Sequence, residues 1–281
     1  MKTRVMGILN VTPDSFSDGG RLDTIERAVA RGRRMVEEGA HILDVGGEST
    51  RPGARAVATN EELRRTVPVV RALRAAFADS REEPLISIDT RKPEVARAAV
   101  EAGADMWNDV SGLTFSPQSL EMAVDLGCEL VLMHAQGTPE TMQDDPRYDD
   151  PVTDVRSWLA ARVALCRAAG TGRIWVDPGI GFGKRLEDNL VLLANLDAFV
   201  GLGDGILVGA SRKSFIARLD GSQVEARLGG SLAAALLCAR KGAGILRVHD
   251  VHETVQALVV AEAVSKSESR NRRGRARGTL T

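Results

Sequence analysis

Four polar side chains end four short apolar runs in this chain: Asp44 after Ile42-Leu43, Asp89 after Leu85 to Ile88, Asn108 after Met106-Trp107, and Asp177 after Ile174 to Val176. One carboxylate at a strand end is weak evidence, because it can simply cap the next helix. Several on one rim are expensive to bury unless each is paired. They serve then as ligand donors, as metal ligands or as internal ion pairs. A carboxylate pair with an amide suits a flat heterocycle carrying an amino-pyrimidinone edge. Such an edge offers two adjacent N–H donors, and one carboxylate accepts both. Asn10 ends a further apolar run and supplies a neutral oxygen. Neutral donors suit Mg²⁺, which uses few protein ligands and completes its shell with phosphate oxygens.

Positive charge and glycine complete the inventory. Ser211-Arg-Lys-Ser214 and Arg247-Val-His249 follow the last two apolar runs. Lys213, Arg247 and His249 could hold a diphosphate, and residues 247 and 249 share one side of an extended segment. Asp177-Pro-Gly-Ile-Gly-Phe-Gly-Lys184 alternates glycines, which lets backbone approach a ligand closely. Its Phe182 can stack on a ring or merely pack the loop. Gly46-Gly-Glu-Ser-Thr-Arg-Pro-Gly53 embeds Thr50-Arg51, and an arginine in such a loop can close over an anion and leave again.

Other chemistries lack their residues. No Gly-x-Ser-x-Gly, no Walker loop and no zinc-spaced His/Cys cluster occurs. Cys128, Cys166 and Cys238 lie in apolar helical patterns and read as reduced packing thiols of a cytoplasmic protein. The net charge of −1 gives no global attraction to nucleic acid or membrane. No signal peptide opens the chain, and the longest apolar stretch, near Leu232 to Leu237, is too short to span a bilayer.

The elements that must position these residues alternate. Apolar runs also end at His134, Ser211 and His249, making eight in all with those ending at Asn10, Asp44, Asp89, Asn108 and Asp177. Between them lie helical segments with start and stop signals. Asp23 with Glu26, Thr59 with Glu62, and Asp250 with Glu253 read as capping boxes. Glycines 39, 103, 127 and 170 read as helix stops. Helices are expected from about Asp154 to Ala169, from Leu186 to Phe199 and from Glu253 to Val264. The first helix places Ile25, Val29 and Met35-Val36 on one face and charges on the other, as for a helix on a barrel exterior. The runs are apolar on consecutive residues, which suits parallel strands covered on both sides. The pattern predicts an α/β chain forming a single TIM-type (β/α)8 barrel over residues 1–265, with active residues at the strand tips. A basic tail, 266–281, is expected to be disordered. The connections 11–22, 46–59 and 135–153 exceed ordinary strand–helix loops and read as functional.

Together these motifs resemble dihydropteroate synthase, of the pterin-binding family. The matching pieces are Asn10-Val-Thr-Pro-Asp-Ser-Phe-Ser-Asp-Gly-Gly20, Ile42 to Ala54, Ser87-Ile-Asp-Thr90, Asn108 to Gly112, Met133 to Gly137, Asp177 to Lys184, Ser211 to Ser214, and Arg247 to Asp250. The resemblance implies condensation of a dihydropterin methyl diphosphate with para-aminobenzoate, giving dihydropteroate and pyrophosphate. It implies that Asp89, Asn108, Asp177 and Lys213 hold the pterin and that Asn10 binds Mg²⁺ on the diphosphate. Thr50, Arg51, Arg247 and His249 would bind the diphosphate or shape the loop around it. Phe182, Ser211 and Lys213 would border the para-aminobenzoate site, closed by Thr50-Arg51 and Phe16. Lys213, Arg51 and Asp44 are expected to carry the chemistry, with Asp44 stabilising developing positive charge. Small-molecule substrates and a homodimer are the expected partners, without nucleic acid or membrane. A pterin-dependent methyltransferase domain and a non-catalytic pterin-binding paralogue are the rival readings. The first would not need Asn10, Arg247 and His249; Thr50-Arg51 and Lys213 argue against the second.

Overall fold

In the computed structural model, eight parallel strands close into a barrel in sequence order, β1 to β8, with β8 pairing back onto β1. They are β1 (Arg4–Asn10), β2 (Ile42–Gly46), β3 (Leu85–Asp89), β4 (Met106–Asp109), β5 (Glu129–Met133), β6 (Ile174–Asp177), β7 (Gly205–Val208) and β8 (Ala243–Val248). The described residues are 3–12, 21–49, 53–54, 56–78, 80, 83–138 and 141–278, without the side chains of 21–23 and 268–278. The predicted (β/α)8 barrel is therefore the architecture found.

Strand parity divides the apolar residues into two cores. Met6, Ile42, Met106, Val131, Trp175, Leu207 and Ile245 pack together inside the barrel. Their neighbours Val5, Leu43, Trp107, Leu130, Ile174, Ile206 and Leu246 belong to the larger core between strands and helices. Successive strand residues point to opposite faces, so a strand buried on both sides must be apolar throughout.

The helices are α1 (Arg21–Glu37), α2 (Thr59–Phe77), α3 (Pro93–Glu101), α4 (Ser119–Leu126), α5 (Pro151–Ala169), α6 (Leu186–Ala194), α7 (Ser214–Asp220), α8 (Leu228–Arg240) and α9 (Val251–Gly278). Glycines 127 and 170 do end their helices in the left-handed region, at φ 57° and 89°. Several local expectations are corrected. Helix α2 starts at Thr59 itself, its cap residue Ala58 offers no side-chain bond, and Glu62 turns inward to Lys92. Helix α5 starts at Pro151 because Asp150 accepts from the Val152 and Thr153 amides at 3.0 and 3.4 Å. The segment expected as one helix from Leu186 to Phe199 breaks at Asn195 into α6 and a 3₁₀ turn. Helix α9 continues past Val264 to Gly278, through Lys, Arg and Glu residues of good helix propensity.

Candidate active site

The barrel interior changes character over one repeat of the strand. Two residues beyond Ile42, Met106, Trp175 and Ile245 stand Asp44, Asn108, Asp177 and Arg247, on the same inward parity. Asp89 pairs in register with Gly46 and with Asn108, and Gly46 with Asn10. A Cβ built on Gly46 would lie 3.6 Å from both Asn10 Oδ1 and Asp89 Oδ2, so these two side chains converge across that glycine. Asn10, Asp89 and Asp177 are the last or near-last residues of their strands, and His249 follows β8 directly. The strand-tip residues thus meet at one mouth.

Arg247 is the hub of this cluster. Its Nε donates to Asp44 Oδ2 and its Nη2 to Asp89 Oδ2, each at 2.6 Å. Asn108 Nδ2 donates to Asp44 at 3.3 Å. The internal ion pair left open by the sequence therefore exists, but it is incomplete: two carboxylates share one guanidinium, and Asp89 Oδ1 is buried with no hydrogen-bond partner. Burial pushes the Asp89 carboxyl up to about 7, against the pull of Arg247. The Arg247 guanidinium is held above its ordinary range by the two carboxylates in spite of its burial.

Asp177 is buried beside this group. Its Oδ1 accepts from the Gly179 amide at 2.7 Å, and burial raises its pKa although Lys213 and Lys184 pull it down. Lys213 reaches back across the mouth, its Nζ bonding to the Ile180 carbonyl and lying 4.0 Å from the centre of the Phe182 ring. Burial pushes this ammonium down to about 7, opposed by Asp177 and Asp89. Phe182 thus meets a cation, and it also lines a cleft of about 270 Å³ shared with Arg91, Phe115 and Met142. Ser211 Oγ lies 3.1 Å from His249 Nδ1 and accepts from the His249 amide at 3.3 Å, which joins the ends of β7 and β8. Thr50, Arg51 and Phe16 lie outside the described residues.

Sequence reasoning missed two groups. At the foot of the 46–59 connection, Glu48 takes hydrogen bonds from Lys92, from Arg91 at 2.8 Å and from the Val57 amide at 3.1 Å, while Lys92 also bonds Glu62. A second buried ammonium, Lys184, lies behind the Phe182 loop. The signal for the first was a Glu and a Lys within motifs already singled out, Glu48 beside Ser49-Thr50 and Lys92 after Thr90. For the second it was the lysine that ends the glycine series.

A closed barrel whose mouth gathers buried carboxylates, an amide and basic groups has the form of an enzyme site for a polar small molecule. A family model described as pterin binding enzyme matches residues 6–249. Dihydropteroate synthase of Escherichia coli is 47% identical over 270 residues, covering 95% of this chain and 94% of that protein. Dihydropteroate synthase of Xanthomonas albilineans, solved with 4-aminobenzoic acid, superposes with a TM-score of 0.86 at 51% identity, covering 94% and 93% of the two chains. The same organism's enzyme in complex with 7,8-dihydropteroate gives a TM-score of 0.82 at 47% identity, covering 94% of each. The chain is a pterin-binding enzyme and, within that class, belongs to the dihydropteroate synthase family.

Proposed function

We propose that this chain condenses a dihydropterin methyl diphosphate with para-aminobenzoate, releasing pyrophosphate and giving the dihydropteroate of folate biosynthesis. The observation that carries this reading is the buried carboxylate group at the mouth, Asp44, Asp89 and Asp177, with one oxygen unpaired. Asp89 Oδ1 is a buried acceptor without a donor. The pterin edge brings N–H donors, so binding would satisfy this acceptor. Asp89, Asn108, Asp177 and Lys213 take the pterin, and Phe182, Ser211 and Lys213 border the para-aminobenzoate beside it.

The anion end falls to the cationic side. Arg247 spends Nε and Nη2 on carboxylates, leaving Nη1 for a diphosphate oxygen, with His249, steadied by Ser211, alongside. Among the described residues, no three His, Cys, Asp or Glu side chains are grouped to hold a metal. Asn10 Oδ1, a neutral donor facing Asp89 across Gly46, fits an Mg²⁺ held mainly by phosphate oxygens and water. Bound there, Mg²⁺ would neutralise charge on the departing pyrophosphate. Lys213 adds a positive charge at the mouth, and the carboxylate of Asp44 steadies the cationic methylene as it forms. The arylamine is already a competent nucleophile, so the site needs none of its own. Thr50, Arg51 and Phe16 are assigned to closure over the arylamine and exclusion of water.

The same reading includes a homodimer. Leu190 and Val191 on α6, Leu237 on α8, and Val259, Val260 and Val264 on α9 are exposed apolar residues suited to a second copy. Along the small-residue run Gly229-Gly-Ser-Leu-Ala-Ala-Ala235 of α8, Gly230 packs inward, since a Cβ there would meet Ile216 at 2.6 Å, whereas Gly229 faces open space. Sedimentation at micromolar concentration should give twice the chain mass; a monomer would remove the dimer from the account.

The test of function is direct. Purified protein, pterin diphosphate, Mg²⁺ and radiolabelled para-aminobenzoate should give labelled dihydropteroate, and a chelator should slow its formation. Pterin binding without labelled product would identify a binding module instead. Rates indifferent to chelator would take Asn10 out of the metal role.

A further inference from the structure

The glycine loop behind Phe182 is laced by side chains from several elements. Lys213 bonds the Ile180 carbonyl, Asn189 Oδ1 accepts from the Gly181 amide at 2.6 Å, and Gln143 donates to the Gly181 carbonyl at 3.0 Å. Tyr148 Oη donates to the Gly183 carbonyl at 2.7 Å. Behind these lies Lys184, 1% exposed. Its Nζ donates to the Phe182 carbonyl at 3.0 Å and to the His134 carbonyl at 3.3 Å, and it lies 3.0 Å from His134 Nδ1. Two carbonyls and an imidazole replace the water that an ammonium normally keeps, and none of the three is a carboxylate. Burial pushes this ammonium down to about 7, opposed by Asp177, and an apolar side chain of equal length would fill the space more cheaply.

What the ammonium does achieve is to tie the β6–α6 loop to the tip of β5. The two connections meet backbone to backbone. A Cβ on Gly179 would lie 1.9 Å from the His134 carbonyl oxygen, and one on Gly183 would lie 2.3 Å from that of Gln136. Both glycines also have positive φ, 70° and 60°. Three residues of the mouth take their orientation from this loop: Asp177 through the Gly179 amide, Lys213 through the Ile180 carbonyl, and Phe182 as part of it.

We infer that Lys184 is a positioning residue for the reaction: it touches no substrate, but through the Phe182 carbonyl and His134 it fixes the loop that aims Asp177, Phe182 and Lys213 into the mouth. The inference rests on the functional reading above and adds a residue to which no role was assigned from the sequence.

The experiment compares wild type with Lys184→Met. KM for para-aminobenzoate and for the pterin diphosphate should rise roughly ten-fold, the usual scale for losing a buried charged hydrogen bond, with kcat changed less. A second readout is specific to the contact. The nearby ammonium and burial together hold His134 down at about 3, and burial is the larger cause. Removing the ammonium should raise the His134 pKa in an NMR titration. The same change should appear in the fluorescence of Trp158, whose ring meets His134 edge-on at 5.1 Å between centres. A folded Lys184→Met with wild-type KM values and an unmoved His134 would overturn the inference while leaving the function intact. Wild type that neither binds nor turns over the substrates would sink both. If Lys184→Met does not fold, Lys184→Gln, which keeps one neutral amide nitrogen as donor in place of the ammonium, should raise the same KM values by a smaller factor and also raise the His134 pKa. Unchanged values there would overturn the inference equally.

Discussion

At Ile42, Met106, Trp175 and Ile245 the barrel interior is apolar and closed; two residues further along the same strands it holds Asp44, Asn108, Asp177 and Arg247. The backbone, pairing and inward direction are the same at both levels. Only side-chain chemistry differs. The lower level is nearly inaccessible and apolar but for Ser87, in register with Met106, and it contributes stability by burial. The upper level is nearly as buried yet charged, with a partly buried guanidinium between two carboxylates and an acceptor left unpaired. The lesson is that this mouth is arranged for a ligand at some cost to the fold, while the floor beneath it supplies stability.

The comparison can be broken at either level. Ile42→Ala should have the largest effect on the fold, roughly 2–5 kcal/mol in denaturant melts, as for other large-to-small core changes. Its pterin affinity, measured where it is still folded, should stay near wild type. Lys213→Ala should do the reverse, cutting turnover by about a hundred-fold or more with circular dichroism unchanged. Near-normal rates would remove Lys213 from the chemistry.

A smaller effect should appear with pH. In the folded state the Asp89 carboxyl sits near 7, above its ordinary 3.8, so the native chain binds more protons than the unfolded chain between those values. Stability from this group is greatest in acid and falls as pH rises through that window. Asp89→Asn should flatten that slope in thermal melts. Pterin N–H groups favour the ionised carboxylate, so affinity should increase as pH rises through about 7. Lys213, pushed down to about 7, loses its proton over the same range, so turnover should fall again on the alkaline side. A rate independent of pH from 6 to 8, values chosen to bracket that range, would contradict both assignments.

Much of this layout was legible in the chain. Polar residues ending consecutive apolar runs located Asp44, Asp89, Asn108 and Asp177, and the barrel rule placed them on one rim. Strand parity puts residues 247 and 249 on one side, whereas Arg247 turns to Asp44 and Asp89 and His249, just beyond β8, to Ser211. Pairing was not legible. That Arg247 turns inward to Asp44 and Asp89 depends on contacts more than 150 residues apart in sequence, with |i−j| of 203 and 158. Glu62 reads locally as a capping residue, yet Lys92 draws it inward, so a tertiary ion pair overrides the local signal. Lys184 stood at the end of a conspicuous motif, but nothing in its spacing reveals that His134 lies behind it.

The central claim is that the buried carboxylates at the mouth recognise a pterin rather than hold the barrel together. Calorimetric titration of Asp177→Asn with the pterin diphosphate tests it most directly. Asparagine keeps one acceptor oxygen and turns a donating NH2 toward the second pterin N–H, so affinity should fall by about ten-fold or more, with a melting temperature no lower than wild type because a desolvated charge has gone. Wild-type affinity in that variant, or a collapse of its stability with affinity retained, would contradict the account.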